Sequence, residues 1–298
     1  MELQQLRYFV AVAEEGSFTG AARRCFVSQP SLSQQVKKLE DELGQPLFDR
    51  LTSGVGLTSA GAALFQRARD ILMAVDAASR AVHEHDGAGS IRVGILPSIA
   101  PYLMPTLLER MAAEMPKAAI EVDEDFRGPL IESLMAGRLD VVIGTLPPQR
   151  SELEAETLLQ EPLLLALSSR DPLADKKRVA PGDLAGRKLV FLGEASSLGQ
   201  LARRFFGDNQ VHAEVVGRCA QVKTMKVLVA AGLGVAIVPA MAVGKDDAGV
   251  VYRRVAGEQP MREVLLMRHR ERFRSKTEAR FVELLRSVCR DIRVARED

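Results

Sequence analysis

Cysteine is scarce: the 298 residues hold only Cys25, Cys219 and Cys289, far apart and odd in number. None has a second metal ligand at finger spacing, which excludes a disulfide framework and a zinc site and leaves three ordinary buried thiols. Histidine is scarce too. His83, His85, His212 and His269 join no Ser-His-Asp set, and there is neither a Gly-rich phosphate loop nor a metal-ligand cluster. Neither an enzyme nor a cofactor is therefore expected. Long apolar runs are also missing, since no stretch approaches the roughly 20 residues that span a bilayer. The opening "MELQQLRYFVAVAEEGSF" carries acids where a secretion signal has a basic start, so the chain is expected to be cytoplasmic. Excess charge of one sign is the last absence. The net charge is +1, and the first 58 residues hold six basic against seven acidic side chains. Bulk charge thus gives no sign of nucleic acid, and only the placement of cations on a docking face bears on it.

What is present is apolar material for two or three domains, 47% of the chain. The stretch "VSQPSLSQQVKKLEDELG", residues 27–44, predicts a helix with Ser28 as N-cap, Val27 and Leu32 as a hydrophobic staple, and Pro30 in the first turn, where no intrahelical bond is lost. Leu32, Val36, Leu39 and Leu43 form one apolar stripe, which turns Pro30, Ser33, Gln34, Lys37 and Lys38 outward. Upstream, Leu6, Phe9, Val10 and Ala13 mark another helix. Ser17 caps a third, in which Ala21 and Ala22 permit close approach. A helix whose first turn offers Gln and Ser suits entry into the major groove, because these side chains carry both donors and acceptors for base edges. The same polar start also fits a solvated cap on an ordinary helical bundle.

Next, Leu47 and Phe48, the turn pair Ser53-Gly54, and Val55 with Leu57 describe a hairpin wing, after which Thr58 caps a long helix. In that helix Leu64, Ala68, Ile71, Val75, Ala78 and Val82 recur at 4-3-4-3-4 spacing. The seam suits a dimerising coiled coil, or packing on the chain's own domain. "DGAGS" at residues 86–90 is a break, and beyond it strands and helices alternate from "IRVGIL" to "VAIVPA", with a return through "EVLLMRHR" into a last helix. This order argues for parallel α/β sheets in two lobes joined by two crossings. Ligands of such folds sit at the carboxyl ends of strands, which singles out Pro97, Ser98, Ile99, Arg127, Ser196, Ser197 and Gln221. Arg127 favours an anionic effector if it faces the cleft, and a salt bridge to Glu124 or Asp125 is the other reading.

"LRYFVAVAEEGSFTGAARRCFVSQPSLSQQVKKLEDELGQPLFDR" followed by "GLTSAG" resembles the LysR-type transcriptional regulators, and the resemblance covers essentially the whole chain. It implies an α/β protein with a winged helix-turn-helix over residues 1–58 and a dimerisation helix over 59–87. A two-lobed effector domain similar to periplasmic binding proteins would fill 88–298, with lobe I at about 88–161 and 266–298 and lobe II at about 162–265. Gln29, Pro30, Ser31, Ser33, Gln34 and Lys37 match the recognition helix, which also carries Lys38, and Arg50 with Thr52 match the wing. The implied partners are double-stranded promoter DNA, a small-molecule effector, further copies of the chain as dimer or tetramer, and RNA polymerase. The wing departs from the pattern: "RLTSGVG" places Ser53 and Gly56 where the family often has cations.

"ILPSIAPYLMPTLL", "GRLDVVIGTLP" and "DPLADKKRVAPGDLAGRKLVFL" look most like the peroxide-sensing branch of that family. There a reactive cysteine opens the second-lobe helix and a partner follows, and here Ser197 and Phe206 take those places. A serine hydroxyl does not replace a thiolate. Regulation by a cleft ligand is the expected mode. A thiol sensor built on Cys219, before a helix, is the alternative, and a solute-binding protein is a more distant one.

Overall fold

The computed structural model describes residues 1–51, 54–83, 89–147, 149–244 and 247–292. The chain divides into two units, residues 1–83 and 84–298. In the first, α1 (Leu3–Glu15), α2 (Phe18–Arg24) and α3 (Gln29–Leu43) precede a hairpin, β1 (Phe48–Leu51) and β2 (Gly54–Leu57), and α4 (Ser59–His83). Side-chain oxygens start three of the four helices. Ser17 accepts from the Gly20 amide at 3.3 Å, Ser28 from Ser31 at 3.4 Å, and Thr58 from Gly61 at 2.9 Å. Gly16 (φ 60°) and Gly44 (φ 65°) end α1 and α3 in the left-handed conformation that a side chain disfavours. Leu32, Val36 and Leu39 are buried as the stripe requires, but Leu43 is 41% exposed, because α3 overruns the core by its last turn. Glu40 ties α3 to the wing, accepting from the amides of Leu47 at 2.7 Å and Phe48 at 3.3 Å.

The second unit begins with β3 (Ser90–Ile95), α5 (Ala100–Glu114), β4 (Ala119–Glu124), α6 (Arg127–Met135) and β5 (Val141–Gly144). A long strand, β6 (Leu153–Ser168), then leaves this first lobe for the second. The second lobe is built from β7 (Arg178–Val179), β8 (Lys188–Leu192), α7 (Ser197–Asp208), β9 (Glu214–Cys219), α8 (Val222–Ala230), β10 (Ala236–Pro239) and β11 (Val250–Val255). The return strand β12 (Met261–His269) leads to α9 (Lys276–Asp291). Separate apolar cores fill the lobes. One gathers around Ile95, Leu103, Val142 and Phe281, the other around Leu165, Phe191, Ala202 and Val238.

The expected parallel arrangement holds for β4-β3-β5 and for β8-β9. It fails for β6, β10 and β12, which pair antiparallel, and β11 is antiparallel to β6 but parallel to β7, so the large sheet is mixed. The cause is the crossing itself: β12 runs antiparallel beside the first-lobe half of β6, with a bulge between Val264 and Leu265, and the second-lobe half of β6 pairs antiparallel with β10 and β11. Besides the two-residue β7, two pieces of strand escape the sequence reading. The first half of β6, "LEAETLLQ", carries acids that pair outward, as Glu156 does with Arg286 at 2.7 Å, and β11 is interrupted by two arginines.

Candidate functional site

The outer face of α3 is open. Gln29, Pro30, Ser31, Gln34, Lys37 and Lys38 are exposed and Ser33 is half-buried, while the opposite face closes the core through Leu32 and Val36. Among the described residues neither lysine has a carboxylate partner, and the side chains of Gln29, Ser33 and Gln34 make no internal hydrogen bond. Such a surface is free to place amide and hydroxyl groups against base edges with cations one turn behind. In the wing, Arg50 pairs with Val55 through its backbone in β1; its side chain and the whole of Thr52 lie outside the described residues.

The seam of α4 splits into two parts. Ala68 is fully buried and Leu64 packs beside it, both in the core that Leu6, Phe9 and Leu39 supply from α1 and α3. The reading of Leu64 and Ala68 as coiled-coil positions is thereby corrected: they pack on their own unit. Ile71 is 38% exposed, Val75 is half-buried and Ala78 is exposed, while the side chain of Val82 lies outside the described set.

In the second unit the strand ends and helix starts of both lobes meet at a narrow cleft with room for about 10 Å³. From the first lobe come Leu96, Pro97 and Ser98, between β3 and α5, and Phe126, the N-cap of α6. The second lobe supplies Leu192 at the end of β8, Ser196 and Ser197 at the start of α7, and Ala220 with Val222 at the start of α8. Four helices thus begin at one space that no carboxylate lines and turn their positive dipole ends to it, although the first amides of α5 are already taken, that of Ala100 by the Leu96 carbonyl and that of Tyr102 by the Ile99 carbonyl. Glycine makes the approach of α7 possible, since a side chain on Gly199 would meet the Leu192 carbonyl at 2.6 Å. Ser196 is spent on its cap, accepting from the Gly199 amide at 3.4 Å. The Ser197 hydroxyl is buried without any partner.

Sequence reasoning therefore brings Pro97, Ser98, Ser196 and Ser197 together correctly in space, but three of its candidates lie elsewhere. Ile99 is a core residue, fully buried in the first lobe. Gln221 caps α8 by position only, with an exposed side chain. Arg127 donates from its guanidinium to the Pro147 carbonyl at 2.8 Å, making no described ion pair with Glu124 or Asp125 and lining no part of the cleft.

Sequence reasoning also overlooks a group just behind the cleft. Arg262 on β12 and Glu161 on β6 are both fully buried and bonded at 2.5 Å. The same guanidinium donates to the Ser98 hydroxyl and carbonyl, each at 3.2 Å. Burial pulls the Arg262 pKa down while Glu161 supports its charge. The available signal was a charge at the edge of each apolar run, Glu161 in "QEPLLLAL" and Arg262, beside Glu263, in "MREVLLM". The thiols are quiet. Burial raises the pKa of Cys219 and Cys25, and that of Cys289 to about 12.

Residues 3–62 match the bacterial regulatory helix-turn-helix protein family of the lysR type, and residues 84–290 match the LysR substrate binding domain. The chain is 34% identical over 271 residues to the DNA-binding transcriptional dual regulator OxyR of Escherichia coli K12, covering 90% of this chain and 89% of the relative. It is 33% identical to a probable RuBisCO transcriptional regulator of Thalassiosira pseudonana, over 82% of this chain and 83% of that one. A full-length OxyR variant from Pseudomonas aeruginosa superposes with a TM-score of 0.74 at 29% identity, covering 99% of this chain and 96% of the other. Full-length CbnR in complex with its target DNA gives 0.59 at 27% identity, covering 97% and 100%. With both halves of the chain matched, it belongs to the LysR family of DNA-binding transcriptional regulators, carrying a helix-turn-helix and an effector-binding domain.

Proposed function

We propose that this regulator reads its operator through Gln29, Ser33 and Gln34 and is controlled by a small oxyanion-bearing effector in the cleft of the second unit. The observation that carries the effector reading is the unpartnered Ser197 hydroxyl beside four helix N-termini, in a space without an acidic wall. The cleft has room for about 10 Å³, far below the roughly 300–1,000 Å³ usual for ligand pockets, so a compact carboxylate or inorganic oxyanion enters it as the lobes part. Its preference for negative charge rests on amides and hydroxyls and owes nothing to Arg127.

Pairing of two chains through Ile71, Val75 and Ala78 supplies the two-fold symmetry that operator half-sites require. RNA polymerase is the further partner of such a complex, and transcription is activated or repressed in the cytoplasm. Control by thiol oxidation is the weaker reading, because the three cysteines are held protonated and Ser197 offers no thiolate. Operator affinity is measured while small carboxylates, sulfate and phosphate are titrated in, with peroxide as a separate arm. A response to one oxyanion that is lost in Ser197→Val supports the reading. A response to peroxide alone, abolished when all three cysteines are serine, overturns it.

A further inference from the structure

We propose that the Arg262–Glu161 pair is the positioning device through which occupancy of the cleft sets the arrangement of the two lobes. The inference rests on the effector reading above. β6 and β12 carry the chain between the lobes, and Glu161 and Arg262 stand directly opposite each other on them, just before the bulge at Val264. From this pair one hydrogen-bonded chain extends into each lobe. Arg262 holds the hydroxyl and carbonyl of Ser98, which lines the cleft on the first-lobe side. Glu161 accepts from the Met241 amide at 2.7 Å, in a short turn that follows β10 in the second lobe.

Packing repeats this crossing. Tyr102 of α5 lies against the second-lobe core, and Met241 against the first-lobe core. A buried ion pair contributes little to stability compared with apolar residues of the same shape, so stability alone gives no reason for one here. What distinguishes its place is that a cleft hydroxyl, both crossing strands and a second-lobe amide meet at it.

Ser98 receives its bond from Arg262 through the hydroxyl oxygen, which leaves its own proton free to donate to a ligand. Ser197, across the cleft, has its proton free as well. An acceptor that satisfies both hydroxyls binds best in the lobe arrangement that brings them to one distance. Ser98 then moves with or against Arg262, and Glu161 passes the constraint to Met241. The ligand biases the arrangement only by its difference in affinity between the two states.

The test supplies the anion from within the chain. Ser197→Asp places a fixed carboxylate at the helix N-termini, and operator affinity is measured for it in the parent and in a Glu161→Gln, Arg262→Met background, where Gln still accepts from Met241. The carboxylate is expected to change operator affinity by about fivefold or more in the parent, and by less than about twofold when the pair is gone. A full shift without the pair overturns this inference and leaves the cleft reading standing. No shift in the parent overturns the cleft reading itself, and the inference with it. Should the double variant fail to fold, as circular dichroism would report, Arg262→Lys keeps a buried cation for Glu161 but, with one nitrogen in place of the guanidinium fork, breaks the paired hold on the Ser98 hydroxyl and carbonyl, and an undiminished Ser197→Asp shift in that background overturns the inference equally.

Discussion

Ser197 combines a cost with a use. A buried hydroxyl without a partner costs roughly 1–3 kcal/mol, and nothing in the first turn of α7 demands it, since the cap is made by Ser196. Ser197→Ala is therefore expected to leave thermal stability unchanged or raised while blunting the response of operator binding to the effector. A loss of stability without loss of response would assign the hydroxyl a structural role. Glu278, near the start of α9, is the other residue with a consequence of its own. Burial, and next the neighbouring Asp140, raise its carboxyl from the ordinary 4.5 to about 7, against the pull of Arg268, Arg274 and Arg272. The folded state then holds a proton that the unfolded chain releases, so this contribution is complete below pH 4.5 and fades as pH rises through 7. Urea unfolding at pH 5 and pH 8 should differ by up to about 3 kcal/mol through this group, and Glu278→Gln should remove that difference. A slope that persists in the variant would place the titration elsewhere.

At the scale of elements, caps and short-period patterns were legible in the sequence because their causes are local. Ser17, Ser28 and Thr58 start helices as their hydroxyls dictate, and the stripe through Leu39 closes the core. The seam of α4 was legible as a pattern but not as a partner, because spacing alone does not say which apolar surface meets it. Leu64 and Ala68 pack within their own unit, while further along Ile71 and Ala78 are exposed and Val75 is half-buried. The two halves should therefore respond differently to a charge. Ala68→Asp is expected to unfold the first unit, with a loss of about 3 kcal/mol or more. Ile71→Asp should leave its melting nearly intact, dissociate the dimer in light scattering and weaken operator binding. An unchanged oligomer with full DNA affinity in Ile71→Asp would remove α4 from the pairing surface. The first half of β6 and the whole of β11 were missed because their charged residues find partners far along the chain, as Glu154 does with Arg274.

For the whole molecule, the two-lobed plan and half of the cleft followed from a general property of α/β folds, that strand ends gather ligand-binding loops. Arg127 was misplaced because a cation after a strand has many acceptors, and the Pro147 carbonyl takes it. Arg262 and Glu161 stand 101 residues apart, and no local pattern joins them. Net charge misled at this scale as well, since an acidic head still presents Lys37 and Lys38 beside Gln34 on one open face. The central claim is that this face reads sequence. The most direct measurement is to recover an operator from a random DNA pool and titrate it, alongside unrelated DNA, with the parent chain and with Ser33→Ala and Gln34→Ala. A common symmetric motif is expected, with each substitution costing roughly 1–3 kcal/mol on that motif and sparing unrelated DNA. Failure to enrich any motif, or equal loss on every sequence, would contradict the account.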